Sequence, residues 1–392
     1  MINTEHDNRQ IPSYSYIQLL EKTIDPLLTW YDKGRRILPW REEPAPYHVW
    51  ISEIMLQQTR VEAVKPYYDR FMNELPDIQS LARIEEEKLL KLWEGLGYYN
   101  RARNLKKAAE KIVSEYDGRM PEDYEELIRL PGIGSYTAGA ISSIAFGRAI
   151  PAVDGNVLRI LARLRLDERD ILDAKVKKAV EAELAKVIPK ERPGDFNQAL
   201  MELGAVVCIP NGTARCDICP LAEICLARKN KRISEFPKKT PKKPRSIEEK
   251  TILVIRDEDK IALRKRSDKG LLAGMYEFPS MEGEQSIKRV IAYLKAMGVA
   301  PLKIDRLPPS KHIFTHKEWH MTGYCIRVDE LERMQPREDL LFVTPREIER
   351  DYPIPSAFAV YTDFAGIQRN RTTDTSENGG EHETVINSHS VL

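Results

Sequence analysis

Glu53 stands in a sequence context that suits acid catalysis. It is the one charged residue in VWISEIMLQQT, residues 49–59, a mostly apolar stretch that predicts a buried helix. Burial raises a carboxyl pKa because desolvation disfavours the ion, and a glutamate protonated near neutral pH is a usable general acid. A salt bridge to an arginine at the mouth of the core is the alternative, and it is the more frequent explanation for an isolated acid of this kind.

A glycine-rich corner, LPGIGSYTA at residues 130–138, separates two helix-forming stretches. The corner can aim unpaired backbone N–H groups outward at the start of a helix predicted from about Ser135, where the helix dipole adds positive potential. Because Gly132 and Gly134 carry no Cβ, a phosphate can approach the backbone closely. An ordinary corner between two helices is the simpler explanation of the motif taken alone.

Asp154 is a second candidate catalytic carboxylate. In PAVDGNVLRILARL it stands at the expected N-cap of a helix that runs from about Val157, and capping alone explains an aspartate there. The segment follows the glycine corner by about one helix length, so a helix-hairpin-helix geometry would return Asp154 to the cleft that holds Glu53. One protonated and one ionised carboxylate form the pair that glycosidic bond cleavage requires.

Four of the five cysteines are crowded into one short segment. Cys208, Cys216, Cys219 and Cys225 form C-x7-C-x2-C-x5-C, and Cys325 stands alone, so no disulfide framework is expected. Four thiolates this close can hold one [4Fe-4S] cluster in a single loop. Structural zinc sites usually use two C-x2-C pairs, whereas one occurs here, so the pattern favours a structural iron–sulfur cluster, with zinc as the alternative.

Length and composition limit the kind of protein that can hold these groups. A chain of 392 residues has room for two or three domains, and its formal net charge of +1 excludes a uniformly basic nucleic-acid protein. The N-terminus lacks a signal-peptide pattern, and no apolar run approaches the ~20 residues needed to cross a bilayer. We therefore expect a cytoplasmic protein with no membrane association.

The order of elements predicts a multidomain chain. Apolar residues at helical spacing predict an all-α domain over residues 1–227, and residues 228–248, rich in Lys, Arg and Pro, predict an extended basic linker. Strand-like runs around one helical stretch predict a smaller α+β domain over residues 249–367. Residues 368–392 are polar and predict a disordered tail.

Taken together, SEIMLQQT, LPGIGSYTAGA, AVDGN and the four cysteines resemble the helix-hairpin-helix DNA glycosylases of the endonuclease III superfamily, specifically the MutY adenine DNA glycosylases. The resemblance covers the chain from about residue 20 to residue 367. It implies two helical subdomains that clasp double-stranded DNA, with a flipped base in the cleft between them and the hairpin glycines on a backbone phosphate. The implied substrate is adenine mispaired with 8-oxoguanine or, less well, with guanine. We expect a monomer that is nucleoid-associated when bound to DNA.

The resemblance also assigns residues. It implies that Glu53 protonates the adenine ring and later helps to activate water, and that Asp154 stabilises the oxocarbenium ion. Tyr136 and Asn156 support that pair. Residues implied to lie in the adenine pocket or to wedge around the lesion are Trp40, Arg41, Gln58, Thr59, Tyr98 and Gln198. For Trp40, Tyr98 and Gln198, the alternative is a packing or surface role.

The smaller domain resembles the MutT-like C-terminal domain of that family, which reads 8-oxoguanine on the opposite strand. GMYEFP, residues 274–279, is similar to the start of a Nudix fold, but the acid-rich R-E-x-x-E-E-x-G metal motif does not follow it. HIFTH, residues 312–316, is similar to the lesion-reading loop and implies contacts from Phe314, Thr315 and His316, with threonine where serine is common. A strand whose phenylalanine faces the core is the alternative.

Three alternative functions follow from the same residues. A bifunctional glycosylase and lyase needs a lysine two places after the second hairpin glycine, and Tyr136 stands there. A phenol cannot form an imine, so a monofunctional enzyme is expected. Glu53 and Asp154 argue against a non-catalytic lesion-binding protein, and the missing metal motif argues against a nucleotide hydrolase.

The first cysteine gap holds seven residues where six are usual in the family, which lengthens one loop.

Overall fold

A computed structural model of the chain describes residues 16–210, 212–241, 244–328 and 340–368. The predicted tail beyond residue 368, and two of the linker lysines at 242 and 243, lie outside these residues. Within them, no helix has the length and apolar character needed to cross a membrane. The described part of residues 16–229 is helical, and residues 246–328 and 340–364 form a mixed sheet with helices on both faces, as the sequence predicts for a multidomain all-α and α+β chain.

The middle of the helical region surrounds one apolar core. Large side chains such as Trp50, Phe71 and Trp93 are fully buried there, and the alanine-rich face of the longest helix packs against them. The helices that build this half are α3 Pro39–Glu42, α4 Pro46–Leu56, α5 Val61–Glu74, α6 Ile78–Arg83, α7 Glu86–Leu92, α8 Asn100–Glu115, α9 Tyr124–Ile128 and α10 Ser135–Ala140, the last continued by a π-helical turn at Ile141–Ala145.

The two ends of the helical region meet in a second core. Leu20, Leu27 and Tyr31 from the first helices pack against the apolar faces of later helices. The helices in this half are α1 Tyr16–Glu21, α2 Ile24–Gly34, α11 Gly155–Arg165, α12 Ala174–Leu184, α13 Pro193–Val206 and α14 Leu226–Lys229. Because the chain returns to its start, a cleft lies between the two cores and receives side chains from both.

The segment after the cysteines differs from the predicted extended linker. Phe236 is buried, the Ile171 amide donates to the Lys238 carbonyl over 3.2 Å, and the Thr240 amide donates to Asp170 over 3.0 Å. A short 3-10 turn, Ile233–Glu235, interrupts the segment. The prediction of an extended linker is therefore wrong for residues 228–240, because one aromatic side chain and backbone hydrogen bonds attach them to the helical domain.

The C-terminal domain is a mixed sheet in the order β3-β2-β1-β6-β5, with β4 on β1 and β7 on β2. β1 and β6 are parallel and the other pairs are antiparallel. Alternate residues of β1 face opposite sides, which buries one set under α15 and the other under α16 and α17. The elements are β1 Ser246–Asp257, β2 Lys260–Lys265, β3 Tyr276–Glu277, β4 Ser280–Glu282, α15 Ile287–Ala296, β5 Pro301–Ile313, β6 Lys317–Val328, β7 Leu340–Val343, α16 Pro345–Asp351 and α17 Ala359–Phe364.

Polar contacts join the sheet domain to α7 and its C-terminal end. The Glu87 carboxylate accepts hydrogen bonds from Lys265 Nζ at 2.6 Å and from the Tyr276 hydroxyl at 2.9 Å. The Ile354 amide donates to Glu94 over 2.9 Å. Met275 from the sheet domain is fully buried in the core of the helical domain. The two domains are therefore in direct contact through charged and apolar side chains.

Two predicted elements end earlier than the sequence suggests. The helix expected over residues 49–59 ends at Leu56, because Gln58 adopts a φ of 59°, in the left-handed region. The strand-like run from residue 312 to residue 328 is divided into β5 and β6 by a turn at residues 314–316. Both breaks place predicted contact residues on turns instead of inside regular elements.

Candidate active site

A cavity of about 1170 Å³ lies between the two helical cores. It is lined from one side by α3 and α4 and from the other by the start of α11 and one face of α13. The predicted site residues that line it are Trp40, Arg41, Glu53, Thr59, Tyr136, Asp154, Asn156 and Gln198. Residues up to 158 positions apart in the sequence therefore meet at one cleft.

Glu53 is buried in α4 with the Tyr136 phenol as its hydrogen-bond donor. The Tyr136 hydroxyl donates to Glu53 Oε2 over 2.6 Å. Burial, aided by the negative charge of Asp154, raises the pKa of Glu53 to about 7, although the phenol and Arg41 act in the opposite direction. Burial also raises the pKa of Tyr136 well above its ordinary value, so this phenol stays neutral. The site therefore holds a carboxyl group that carries a proton near neutral pH.

Asp154 occupies the predicted N-cap of α11. Its carboxylate accepts hydrogen bonds from the amides of Asn156 and Val157, each over 2.8 Å, and from Asn156 Nδ2 over 2.7 Å. Burial raises its pKa above the ordinary value, while these three N–H donors favour the ionised form. The capping role and a place in the cleft are thus combined in one side chain, because the cap faces the cavity.

Asn156 is fixed by a buried arginine and by the absence of a neighbouring side chain. Arg159 Nη2 donates to Asn156 Oδ1 and to the Gly204 carbonyl, each over 2.8 Å. A Cβ added at Gly204 would lie 2.5 Å from the Asn156 Cβ, so α13 approaches α11 closely only where glycine stands. Arg159 Nε also donates to the Cys208 carbonyl over 2.8 Å, which connects α11 to the cysteine loop.

The two hairpin glycines have different structural surroundings. Gly132 has a φ of 78°, and a Cβ there would lie 2.6 Å from the Asn104 side chain. Gly134 has an ordinary φ of −98° and open space around it, and it is the N-cap of α10. The chain itself thus requires glycine at the first position, while the second leaves room for something outside the chain to approach the backbone.

The remaining predicted contact residues lie outside the cavity. Gln58 is on the turn after α4, and Tyr98 is about half exposed, with its hydroxyl 3.3 Å from Thr315 Oγ1. Phe314 is half-buried against Trp319, with ring centroids 4.8 Å apart. The exposed residues of this turn are Thr315 and His316. The two groups of predicted lesion contacts, one from each domain, therefore meet at this point.

Several residues of the cleft were not predicted from the sequence. Arg36, Met201 and Glu202 line the cavity, and the Met201 sulfur lies 3.5 Å from the Tyr136 hydroxyl. Arg101, behind the cleft, is buried on α8. The one available signal was a charged residue on an apolar helix face. It applies to Arg101, four residues before Leu105, and to Glu202, three residues after Ala199.

The four cysteines that cluster in the sequence are free thiols, and each is partly buried. Burial raises the pKa of Cys216, Cys219 and Cys225, and the charge of Cys208 adds to the effect at each of them. Among the described residues, however, no three His, Cys, Asp or Glu side chains are arranged to hold a metal ion. Four thiols within 18 residues nevertheless fit the donor set of a cluster with four thiolate ligands.

Comparison with known proteins defines the class. A family model described as HhH-GPD superfamily base excision DNA repair protein matches residues 51–190, and a NUDIX domain model matches residues 251–363. The chain is similar to the structure of a non-covalent endonuclease III–DNA complex, with 27% identity, a TM-score of 0.48, and coverage of 55% of this chain and 97% of that one. The cleft and the two family-model matches define a helix-hairpin-helix base excision glycosylase with an added Nudix-like domain.

Two curated relatives define the family more narrowly. The chain is 36% identical to the adenine DNA glycosylase of Mus musculus, covering 78% of this chain and 70% of the relative. It is 35% identical to the adenine DNA glycosylase of Buchnera aphidicola from Acyrthosiphon pisum, with 77% and 85% covered. The chain belongs to the adenine DNA glycosylase family. It is an enzyme of DNA repair that hydrolyses N-glycosyl bonds and has DNA as its partner.

Proposed function

We propose that this protein is a monofunctional glycosylase that removes adenine from mispairs with 8-oxoguanine or guanine in double-stranded DNA. The observation that carries the proposal is the hydrogen bond from the Tyr136 phenol to buried Glu53. The carboxyl group that carries a proton and the neighbouring Tyr136 side chain, which has no amine, both line the cleft that also holds Asp154. The cleft is large enough to receive a base flipped out of the duplex.

The chemistry follows from the two carboxylates. Protonated Glu53 donates its proton to a ring nitrogen of adenine, which makes the base a better leaving group as the bond from C1′ to N9 breaks. Ionised Asp154 stabilises the positive charge that develops on the sugar. Glu53, now ionised, accepts a proton from the water that attacks C1′. The products are free adenine and an abasic site, and Glu53 is protonated again.

The strand stays uncut because Tyr136 has no amine. A lyase would form a Schiff base between a lysine and C1′, and sodium borohydride would reduce this to a stable covalent complex. We expect no stoichiometric trapped complex when the protein is incubated with an 8-oxoguanine:adenine duplex and borohydride. An endonuclease III-type lyase serves as the positive control in the same assay. A trapped complex in which Tyr136 is still intact would contradict the monofunctional assignment.

Residues of both domains are proposed to recognise the lesion. Tyr98 and Thr315, in contact across the two domains, are exposed where the opposite strand would lie. The Thr315 hydroxyl and the half-buried Phe314 would read 8-oxoguanine, with His316 beside them. Gln58 and Thr59 would wedge into the base stack, and a DNA phosphate would approach the backbone at Gly134, where space is open.

We also propose that the four clustered cysteines hold a structural [4Fe-4S] cluster. The thiols are free, and they are carried by a loop that Arg159 and Arg163 of α11 hold through hydrogen bonds to backbone carbonyls. Protein purified under iron-replete anaerobic conditions should be brown and contain about four iron atoms per chain. A colourless preparation that contains zinc would contradict the assignment. The cluster supplies no step of the reaction described above.

One experiment tests the proposed substrate. Duplexes that differ only in the base opposite adenine are incubated with excess protein, and alkali then cleaves any abasic site. We expect adenine release opposite 8-oxoguanine and guanine, faster for the former, and none opposite thymine. Equal release from all duplexes would contradict mispair recognition, and no release from any of them would contradict the proposed function.

A further inference from the structure

A buried carboxylate bridges two arginines in the wall of the active-site cleft. Glu202, on α13, has 1% of its surface exposed. Its Oε1 accepts a hydrogen bond from Arg36 Nε over 2.5 Å, and its Oε2 accepts one from Arg41 Nη2 over 2.8 Å and one from Arg36 Nη2 over 3.1 Å. All three side chains line the cavity that contains Glu53. Both oxygens of the acid are therefore satisfied by the same two guanidinium groups.

Arg41 is held in place from three directions. Besides its bond to Glu202, its Nη1 donates to the Arg36 carbonyl over 3.1 Å, and its guanidinium lies 5.7 Å from the centroid of the Tyr31 ring. The side chain of Arg41 is only 15% exposed. An arginine fixed in this way loses little conformational freedom when a ligand arrives, so the cleft wall is ordered before substrate binds.

We propose that Glu202 is a positioning residue for base excision. It holds Arg41 at the wall of the base pocket, and it cancels part of the positive charge that Arg41 directs at Glu53. This inference rests on the proposed function, in which Arg41 contacts the flipped adenine and Glu53 is the acid.

The charges around the two acids determine the expected sign. Glu53 is faced by the Tyr136 phenol from α10, by Asp154 at the start of α11 and by Arg41 from α3. Of these, Arg41 favours the ionised form of Glu53 and Asp154 opposes it. Removing the negative charge of Glu202 would leave the Arg41 charge less compensated, so Glu53 would lose its proton at a lower pH.

The surroundings of Glu202 also contain titratable groups. It is faced by Arg36 from the segment before α3, by Arg41 from α3 and by the Tyr31 phenol from α2. Burial disfavours its charge, but the two guanidiniums outweigh burial and lower the pKa of Glu202 below its ordinary value. Glu202 thus stays ionised throughout the pH range in which Glu53 titrates.

The sheet domain provides a matched control for a purely structural role. Glu277 has 3% of its surface exposed and is also bound by two arginines, Arg264 and Arg266. Glu277 belongs to β3 and does not line the cavity that contains Glu53. Glu277→Gln therefore removes a similar buried ion pair without changing the charge that faces Glu53.

The test compares Glu202→Gln, Arg36→Gln and Glu277→Gln with the unmodified full chain. Two quantities are measured: the titration of the Glu53 carboxyl by ¹³C NMR, identified by difference from Glu53→Gln, and the pH profile of adenine release under single-turnover conditions. Glu202→Gln should lower the Glu53 midpoint by roughly half a pH unit or more, and adenine release above pH 7 should fall by at least about threefold. Arg36→Gln removes a positive charge and should move the midpoint upward.

The outcomes separate the two proposals. A Glu53 midpoint and a rate in Glu202→Gln that equal those of the unmodified chain would overturn the positioning role, as would an equal shift in Glu277→Gln. If Glu202→Gln does not fold, the upward shift in Arg36→Gln supports the role and an unchanged midpoint overturns it. If the unmodified chain releases no adenine, the proposed function fails, and the NMR midpoint still decides whether Glu202 tunes Glu53.

Discussion

At the scale of single residues, the two buried carboxylates of the cleft differ in the hydrogen bonds that they accept. Glu53 accepts one from the Tyr136 phenol, whereas Asp154 accepts three from N–H groups. More donors favour the ionised form more strongly, so the same cleft can hold one acid and one anion. The local environment thus separates the roles of two chemically similar groups.

The protonation of Glu53 gives the first prediction. Because its pKa is raised to about 7, the protonated form prevails below pH 7 and is lost above it. We expect kcat/KM for adenine release to fall about tenfold per pH unit on the alkaline side, and Glu53→Gln to lower it by at least ~100-fold at pH 7. Glu110→Gln, on the half-exposed surface of α8, is the control. Activity that stays constant to pH 9 would contradict the acid role.

The Tyr136 phenol gives the second prediction. Its hydrogen bond lowers the pKa of Glu53 against the effect of burial. Tyr136→Phe removes only this donor, so the Glu53 midpoint and the alkaline limb of the pH profile should both move to higher pH. Tyr116→Phe is a matched control, because that phenol also donates to a glutamate, Glu126, but away from the cleft. A midpoint that does not move would show that the phenol has no influence on the acid.

At the scale of elements, one arginine fastens the end of α4 to the start of α8. Arg101 is 9% exposed and lies over the Trp93 ring at 5.3 Å from its centroid. Burial lowers its pKa to about 10, so it remains charged at neutral pH. Its guanidinium donates to the carbonyls of Ile54, Met55, Gln57, Leu96 and Gly97. Two turns that carry proposed DNA contacts are therefore held by one side chain.

The third prediction concerns this arginine. Arg101→Lys keeps the charge, but a single amine cannot reach the two groups of carbonyls that the planar guanidinium bridges. We expect the free energy of unfolding to fall by about 2 to 3 kcal/mol, measured by urea denaturation. Lys107→Gln, on the exposed face of the same helix, should change it by less than about 0.5 kcal/mol. Equal stability of the two variants would contradict the bridging role.

Elements whose ends are set by residues nearby in the sequence were predictable, whereas an end set by a distant residue was not. The N-cap at Asp154, the start of α10 at Ser135 and the hairpin between β1 and β2 were predictable, because capping and turn chemistry act within a few residues. The end of α4 at Leu56 was not, because Arg101, 45 positions later, holds the carbonyls that the helix leaves unpaired.

The candidate site shows the same division. Glu53 and Asp154 were identified because one interrupts an apolar helix and the other caps a helix. The bond between Arg36 and Glu202 joins residues 166 positions apart, and no local pattern pairs them. The buried place of Phe236 was missed because its basic neighbours dominate the composition of residues 228–248. Tertiary packing, which composition does not reveal, decided both cases.

At the scale of the whole molecule, Glu87 on α7 connects the two domains. It binds Lys265 and Tyr276 of the sheet domain. Tyr98 lies a few residues after the end of the same helix. The proposed reading of the opposite strand requires Thr315 to stay near Tyr98, so the docking of the domains should influence mispair preference.

The fourth prediction tests this docking. Glu87→Arg places a positive charge against Lys265, and we expect the preference for 8-oxoguanine over guanine to decrease by about fivefold, which corresponds to roughly 1 kcal/mol. Cleavage by trypsin between the domains should become faster. Glu85→Arg, at an exposed position just before α7, is the control. An unchanged ratio of the two excision rates, with faster trypsin cleavage, would separate docking from lesion preference.

The close approach of α13 to α11 at Gly204 has a consequence for inheritance. A single added methyl group there would lie 2.5 Å from the Asn156 Cβ, so we expect it to displace Asn156 from its place beside Asp154. Under the proposed function, adenine opposite 8-oxoguanine would then persist until the next round of replication, when it templates thymine. We expect cells that carry Gly204→Ala to accumulate G:C to T:A transversions. The mutation spectrum of such cells would thus record the addition of one Cβ atom.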